Sequence, residues 1–262
     1  MRILFWNLNG KNNTNRIKSI LMERDIDIAV FSEYKKSFIE TAVFQEIGYK
    51  VIEGYGGCEK IIFLVKKDIE VFVCKEQHRY AICIIRLNNK CFILSGVHLH
   101  DNIHYGPRDR ARVISQMVHD IKDVESEYDT LNTIVIGDFN CSPFDDEMIE
   151  KDLFNSVLFK KIIEKSEYVK YDNTMYRRFY NPMLEMVSEH NNQYGSCYYN
   201  LSRISELYWY SYDQVIVRKS LIDCITDLEW CNSIDSINLL TKAGYPNKMI
   251  SDHLPLFMEV LL

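Results

Sequence analysis

The chain is punctuated by short apolar runs, and one run after another gives way to a polar residue at its end. "TIVIGDFN", Thr133 to Asn140, is the sharpest case. Thr133 to Ile136 are all β-branched and suit a buried strand, yet Gly137, Asp138, Phe139 and Asn140 follow at once. Comparable runs occupy Ile3–Leu8, Ile28–Ser32, Tyr49–Glu53, Ile61–Lys66, Glu70–Cys74, Tyr80–Leu87, Cys91–His98, Tyr212–Val217 and Leu256–Leu262. Short, β-branched or aromatic segments of this kind predict sheets.

Helical spacing appears in two places. "NRIKSILMERD" puts Ile17, Ile20 and Leu21 on one face, with Asn12, Asn13 and Thr14 as candidate caps. "RDRARVISQMVHDIKDV" lines up Val113, Ile114, Met117, Val118 and Ile121. Strands outnumber helices and several are adjacent, so strict β-α-β alternation is excluded. The pattern predicts an α/β fold of mixed sheets with helices outside.

The 262 residues, 47% of them hydrophobic, suit a single domain with an ample core. No internal repeat or Pro/Gly-rich linker divides the chain. The segment at about 151–211 stands apart as an aromatic-rich, insertion-like stretch. It reads equally as a packed surface region or as a wall of a substrate pocket.

The net charge of −6 lacks the basic footprint usual for nucleic-acid binders. An enzyme with only a local positive site, or with bound cations, is still compatible with it. The eight cysteines contain no C-x-x-C pair, which argues against a zinc ribbon. There is no signal-like start and no apolar stretch long enough to span a bilayer. The expectation is a reduced, cytoplasmic protein without a membrane partner; oligomeric state is left open.

The polar residues at the strand ends carry the chemistry. Asn7, Glu33, His98, Asp138 and Asn140 follow or close apolar runs, Asp213 opens one, and Ser251-Asp252-His253 precedes the last. Taken singly, each reads as a turn, cap or satisfied core residue. Taken together, converging carboxylates would need a cation or paired histidines, because an isolated buried charge is very costly. Glu33 and Asp252, with the Asn7 amide oxygen, offer the oxygen donors that Mg²⁺ prefers. His253 beside a phosphate would stabilise developing negative charge.

The ordered motifs "FWNLNG", "VFSEY", "GVHLHD", "VIGDFNCSP", "YDQVIV" and "SDHLPL" resemble the endonuclease/exonuclease/phosphatase superfamily over nearly the whole chain. The resemblance implies a four-layered α/β/β/α sandwich, two mixed β-sheets packed face to face with helices outside. It also implies metal-dependent hydrolysis of a phosphate ester, with Mg²⁺ as cofactor and Mn²⁺ as its alternative. On this resemblance Glu33 is the metal-binding Glu, with Asn7 and Asp252 close by. Asp138 would orient or deprotonate the attacking water, and Asn140 would position that water and the phosphate. His253 would contact the scissile phosphate with Asp213 holding its ring. His98 would pair with Glu59, and Arg79 would bind substrate phosphate. Without the resemblance, Glu59 and Arg79 read as surface charges.

Ser32 stands where many members carry Gln, and the Tyr/Asn pattern of apurinic endonucleases is absent after "GVHLHD". The substrate expected is nucleic acid, cleaved by a nuclease. The alternative is a small phosphorylated molecule, a nucleotide or inositol phosphate.

Overall fold

The computed structural model describes residues 1–52, 54–87, 89–188, 192–200 and 207–261. In chain order its first strands are β1 (Arg2–Asn7), β2 (Ile28–Ser32), β3 (Tyr49–Ile52), β4 (Ile61–Lys66), β5 (Glu70–Gln77), β6 (Tyr80–Leu87), β7 (Lys90–His98) and β8 (Thr133–Asp138). There follow β9 (Ser156–Val157), β10 (Tyr168–Tyr171), β11 (Thr174–Arg177), β12 (Phe179–Tyr180), β13 (Cys197–Tyr198), β14 (Trp209–Tyr210) and β15 (Asp213–Val217). The last are β16 (Ile225–Trp230), β17 (Ser233–Ile234), β18 (Ile237–Asn238) and β19 (Leu256–Val260).

Six of these make one sheet, in the order β16-β19-β1-β2-β4-β3, and seven make another, in the order β5-β6-β7-β8-β15-β12-β9. Both are mixed: β1 runs parallel to β2, and β7 parallel to β8, within otherwise largely antiparallel neighbourhoods. This is the mixed-sheet α/β architecture expected from the sequence.

Strand alternation explains the layers. Ile134 and Ile136 of β8 join the core cluster that also holds Phe5, Val30 and Phe63 of the first sheet, whereas Val135 points into a second cluster. That second cluster lies beneath α3 (Pro107–Glu127, following α1 at Thr14–Glu23 and α2 at Thr41–Glu46), which contributes Ile114, Met117, Val118 and Ile121. On α1, Ile17, Ile20 and Leu21 are buried. Fully burying one such aliphatic side chain is worth about 1.5–3 kcal/mol, so these two stripes fix the helices outside the sheets.

Close approach of the sheets is visible at Gly96. A Cβ there would lie 2.7 Å from Ile61 and 2.8 Å from Val30, both on the opposite sheet. Gly137 has a different role, because a Cβ on it would meet the Val97 carbonyl oxygen at 2.0 Å. It lets β8 lie tight against β7.

Some expected boundaries shift. The run expected to stop at Cys74 continues to Gln77, past a register irregularity between Val73 and Lys75. Glu53 and Leu262 lie outside the described residues. Edge strand β16 escapes sequence reading because "ITDLEW" carries two acidic residues in six and only its Trp230 is buried. Within 151–211, β9 and β12 extend the second sheet, while β10–β11 and β13–β14 form separate two-stranded ribbons. No helix among the described residues is long and apolar enough to cross a membrane.

Candidate active site

The same alternation aims the polar strand ends. Along β7, Leu94 faces the inter-sheet core, so Gly96 and His98 follow on that side; along β8, Ile134 and Ile136 lead to Asp138. Along β15, Val217 and Val215 lead back to Asp213. Register then aligns them, with His98 beside Asp138 in the parallel pair and Asp213 opposite Asp138 in the antiparallel pair. The seam between the sheets therefore ends in a histidine and two carboxylates. Across it, β1 ends at Asn7 beside Ser32 of β2, and Glu33 follows.

Glu33, His98 and Asp138 line a cleft of about 860 Å³, whose walls also include Glu59, Arg79, Asn140, Tyr199, Asp252 and His253. Asp138 is only 1% exposed, yet both its oxygens are held. Oδ2 accepts from Asn7 Nδ2 at 2.9 Å, and Oδ1 accepts from the Asn140 backbone N–H at 2.9 Å. Asn7 Nδ2 also donates to Glu33 Oε1 at 3.2 Å, while its Oδ1 accepts from the Asn9 N–H at 2.9 Å. Asn7 thus turns its nitrogen to the carboxylates and bridges them. The expected presentation of its oxygen to a cation is not the arrangement found.

His253 is set by its neighbours. Trp6 Nε1 donates to its carbonyl at 3.0 Å, Ser251 Oγ accepts from its N–H at 3.1 Å, and Ser251 is tied to the Asn7 carbonyl at 2.7 Å. Its Nδ1 lies 2.6 Å from Asp213 Oδ2. Asp213 is fixed in turn, its carbonyl accepting from Trp230 Nε1 at 3.1 Å and its N–H donating to Ser196 Oγ at 3.0 Å. Burial disfavours charge on His253, but the Asp213 carboxylate, seconded by Asp138 and Asp252, outweighs it and holds the ring up to about 10. His98 goes the other way: burial, aided by Arg79 and His253, overrides Asp138 and pushes it down to about 4. At neutral pH the cleft holds one imidazolium and one neutral imidazole. Burial also raises the Asp138 carboxyl, against the pull of His253.

The Asp213–His253 pair expected from the sequence is present. A Glu59–His98 pair is not found. His98 Nε2 is instead 3.4 Å from Glu33 Oε1 and 3.8 Å from Asp138 Oδ2. The reason is topological: β7 hands His98 directly to its in-register neighbour, whereas Glu59 sits exposed before β4, at the rim of the cleft. Asn140 reaches the cleft differently from an extended continuation of β8. Its φ of +49° breaks the strand, and its side chain donates to the Leu99 carbonyl at 3.1 Å. Phe139 is buried in the cluster under α3, as the alternation predicts. Glu33 has a φ of +52°, a backbone region that costs a non-glycine residue about 1–3 kcal/mol and persists where surroundings enforce it.

Arg79 is half-buried at the cleft wall and packs 5.9 Å from the Tyr105 ring, with no carboxylate partner among the described residues. Lys35, Lys36 and Lys60 line the same cleft and went unnoticed in the sequence. Lys35 and Lys36 follow the Glu33 motif directly, a signal hidden by the overall negative charge. They share the cleft with Glu33, Glu59, Asp101, Asp138 and Asp252, so cations and carboxylates face the same space.

Also unforeseen was Asn102, which donates from Nδ2 to the Asn140 carbonyl at 2.7 Å. Its Oδ1 accepts from Arg110 Nη1 at 2.5 Å, and Arg110 is locked by Glu147 Oε1 at 2.7 Å through Nη2 and 2.9 Å through Nε. Of the three helix arginines only Arg110 is buried; Arg108 and Arg112 are solvated. Among the described residues, Asp138, Asp213 and His253 also form a group whose ligand atoms all lie within 4.8 Å of one another.

Solved structures share this fold. The endonuclease domain of TRAS1, a telomere-specific non-LTR retrotransposon, superposes with a TM-score of 0.59 at 15% identity, over 100% of this chain and 98% of that one. TDP2 of D. rerio, complexed with a single-strand DNA product, gives a TM-score of 0.61 at 14% identity, over 98% and 97%. An AP endonuclease from Archaeoglobus fulgidus gives 0.56 at 12% identity, over 100% of both chains. No curated protein sequence matches the chain. The sequence profile of the Endonuclease/Exonuclease/phosphatase family, however, matches residues 4–253. The chain belongs to the endonuclease/exonuclease/phosphatase family of metal-dependent phosphoric-ester hydrolases.

Proposed function

We propose that this protein is a nuclease, a phosphodiesterase that uses Mg²⁺ or Mn²⁺ to hydrolyse DNA or RNA. The observation that carries the reading is the convergence on Asp138 of Asn7, His98 and the Asn140 N–H, opposite the Asp213–His253 pair. Supporting it, the cleft gathers Lys35, Lys36, Lys60 and Arg79 despite the acidic chain. Two of the structural neighbours are described as endonucleases, and a third was solved with a single-strand DNA product.

The residues divide the work by their electrostatics. Asp138, its carboxyl raised by burial, takes a proton from the attacking water. Asn140 holds water and phosphate in place. His253 meets the phosphate as a cation; its Nε2 makes no hydrogen bond among the described residues, so it is left for a phosphate oxygen. Neutral His98 donates or accepts a hydrogen bond at the phosphate without adding charge, and Arg79 anchors a substrate oxygen. Glu59 at the rim contacts the bound substrate. Glu33 and Asp252 supply the hard oxygen donors that suit Mg²⁺, with Asn7 orienting Glu33. The bound ion would act as a Lewis acid, neutralising charge that develops on the phosphate.

A second reading has its own observation. The cleft volume of about 860 Å³ falls within the range of small-molecule pockets, and a nucleotide or inositol phosphate would fit it. One assay separates the two. The chain and its Asp138→Ala variant are given Mg²⁺ with plasmid DNA, single-stranded DNA and RNA, and in parallel with a nucleotide and inositol phosphate panel. Polymer cleavage lost in the variant supports the nuclease. Phosphate release from a small molecule with polymers intact overturns it in favour of the second reading.

A further inference from the structure

One extra residue in β5 decides where Glu76 points. Val73 pairs with Cys83 and Lys75 with Ile82, so Cys74 is surplus to the ladder, and pairing then sets Glu76 opposite Ala81. Directly paired residues share a face of the sheet. Cys83 and Ala81 belong to the inter-sheet core, Ile82 to the cluster under α3. Val73 and Glu76 therefore both face the seam, three residues apart where a regular strand would space them by two. Lys75 is turned the other way and meets Asp120 and Asp123 of α3 at 3.3 and 2.7 Å. Without the surplus residue the two would exchange faces, and Glu76 would point at those α3 carboxylates.

On the seam side Glu76 meets a loop of the other sheet. Its Oε1 accepts from the Gly57 N–H at 3.1 Å and its Oε2 from the Cys58 N–H at 3.3 Å. Both donors lie between β3 and β4, so the carboxylate ties edge strand β5 to the opposite sheet. The loop folds closely over it: a Cβ on Gly54 would lie 2.3 Å from Glu76 Oε2, and one on Gly57 3.0 Å from its Cγ. The Cys58 thiol adds a contact at 3.8 Å to the His78 carbonyl, in the turn between β5 and β6. The same loop carries Glu59 and Lys60 into the cleft wall, and the same turn carries Arg79.

We propose that Glu76 is a positioning residue of this hydrolase. It clasps the β3–β4 loop to the Arg79 turn and so fixes where Lys60 and Glu59 meet the substrate, a role that rests on the reading of this cleft as a phosphodiesterase site. A carboxylate that accepts from two successive N–H groups restrains a loop at two points, and hydrogen bonds to an ionised group are the strong ones. Gly54 is bound to the same device, because a side chain there could enter only by displacing the Glu76 carboxylate. The reacting groups keep separate supports: Asp138 is held by Asn7 and the Asn140 N–H, and His253 by Asp213. Loss of the clasp therefore weakens substrate binding and leaves turnover near its parental value.

Amide hydrogen exchange on the full chain reads the clasp without any substrate. Glu76→Ala and Gly54→Ala should each speed exchange at Gly57 and Cys58 while β6, β7 and β8 stay protected, and Gly54→Ala should add nothing in the Glu76→Ala background. Unchanged exchange at Gly57 and Cys58 in Glu76→Ala would overturn the clasp. Steady-state cleavage of a labelled single-stranded oligodeoxynucleotide with Mg²⁺ reads its role. KM should rise about tenfold in Glu76→Ala, the loss of one charge-assisted contact, with kcat near parental, and Glu76→Gln, which keeps one acceptor oxygen, should recover part of the loss. Lys60→Ala should raise KM in the parent and have little effect in Glu76→Ala. An unchanged KM in Glu76→Ala, or an equal effect of Lys60→Ala in both backgrounds, would overturn the positioning role while the nuclease reading stands. A parent that spares the oligonucleotide but releases phosphate from a nucleotide or inositol phosphate overturns the nuclease reading alone, and the same KM comparison on that compound then decides the role of Glu76. A parent inactive on all of them removes both.

Discussion

Asp138 and Asp213 face each other directly across the β8–β15 pairing, and only Asp213 is bonded to a histidine. Two carboxylates on neighbouring strands, 1% and 0% exposed, would repel strongly in a low-dielectric seam. The fold resolves this by making them unlike. Asp213 spends its charge on His253 through Nδ1 at 2.6 Å. Asp138 is held by the Asn7 amide and the Asn140 N–H, and burial pushes its carboxyl upward. One carboxylate is bonded to a histidine ring; the other is held by an amide and a backbone N–H at the cleft.

That division predicts how Asp213→Asn will behave. The folded His253 lies well above its ordinary value, so its contribution to stability is fully present below about pH 6.5 and is lost as pH rises through about 10. Removing the Asp213 charge should lower that folded value. In the metal-free protein, urea unfolding should therefore show the variant less stable than the parent at pH 6, with the gap closing toward pH 10. A gap that widens with pH would contradict the assignment.

Asp138→Ala and His253→Ala should each reduce kcat by roughly 10² or more, because each removes a group acting in the transition state. Glu33→Ala should instead raise the Mg²⁺ concentration needed for half-maximal rate. Steady-state kinetics across a metal titration distinguishes the two classes. Near-parental turnover in a folded Asp138→Ala protein would defeat the base assignment, and an unchanged metal curve would defeat the ligand role of Glu33.

Much of this site could be read from the chain because strand alternation is a strict period of two. Once Ile134 and Ile136 are placed inside, Asp138 must point along the same seam, and the parity of Leu94 and His98, or Val215 and Asp213, follows by the same count. What could not be read depends on contacts between distant segments or on backbone that leaves the regular regions. Asn140 enters the cleft through a left-handed turn, not an extended one. His98 finds Glu33 because β7 and β2 lie on facing sheets, a relation that no local spacing encodes. Arg110 shares its helix with solvated Arg108 and Arg112, and Glu147, in the short later helix Asp146–Ile149, shows why it is buried.

Arg110 and Asn102 lead to a prediction about positioning. Among the described residues the Asn102 side chain hydrogen-bonds the Asn140 carbonyl, the Tyr212 hydroxyl and Arg110, so Asn102→Ala should loosen Asn140 while sparing the core. The expected result is a fall in kcat of about fivefold, one lost hydrogen bond's worth of about 1 kcal/mol, with little change in Tm. Arg110→Met should do more. It leaves Glu147, 4% exposed, as an unpaired buried charge and should cost about 3–5 kcal/mol of stability. Thermal unfolding and kinetics on both variants test this, and a large Tm loss in Asn102→Ala would mean that its role is structural alone.

Gly96 tests the sandwich that holds the cleft together. It is the point where β7 nearly touches the opposite sheet, and an added methyl would lie 2.7 Å from Ile61, 2.8 Å from Val30 and 3.1 Å from the tip of Phe63. All three neighbours are side chains and can shift slightly, so Gly96→Ala should fold but lose about 1–3 kcal/mol, the usual penalty for overpacking. Gly137→Ala should be worse, since its methyl would meet a backbone oxygen at 2.0 Å and could be relieved only by parting β7 from β8. That parting would carry His98 away from Asp138, its in-register neighbour. Urea unfolding combined with turnover should show Gly96→Ala less stable but with near-parental kcat, and Gly137→Ala losing both. Equal stability of the two variants would mean that the strands adjust more freely than their register implies.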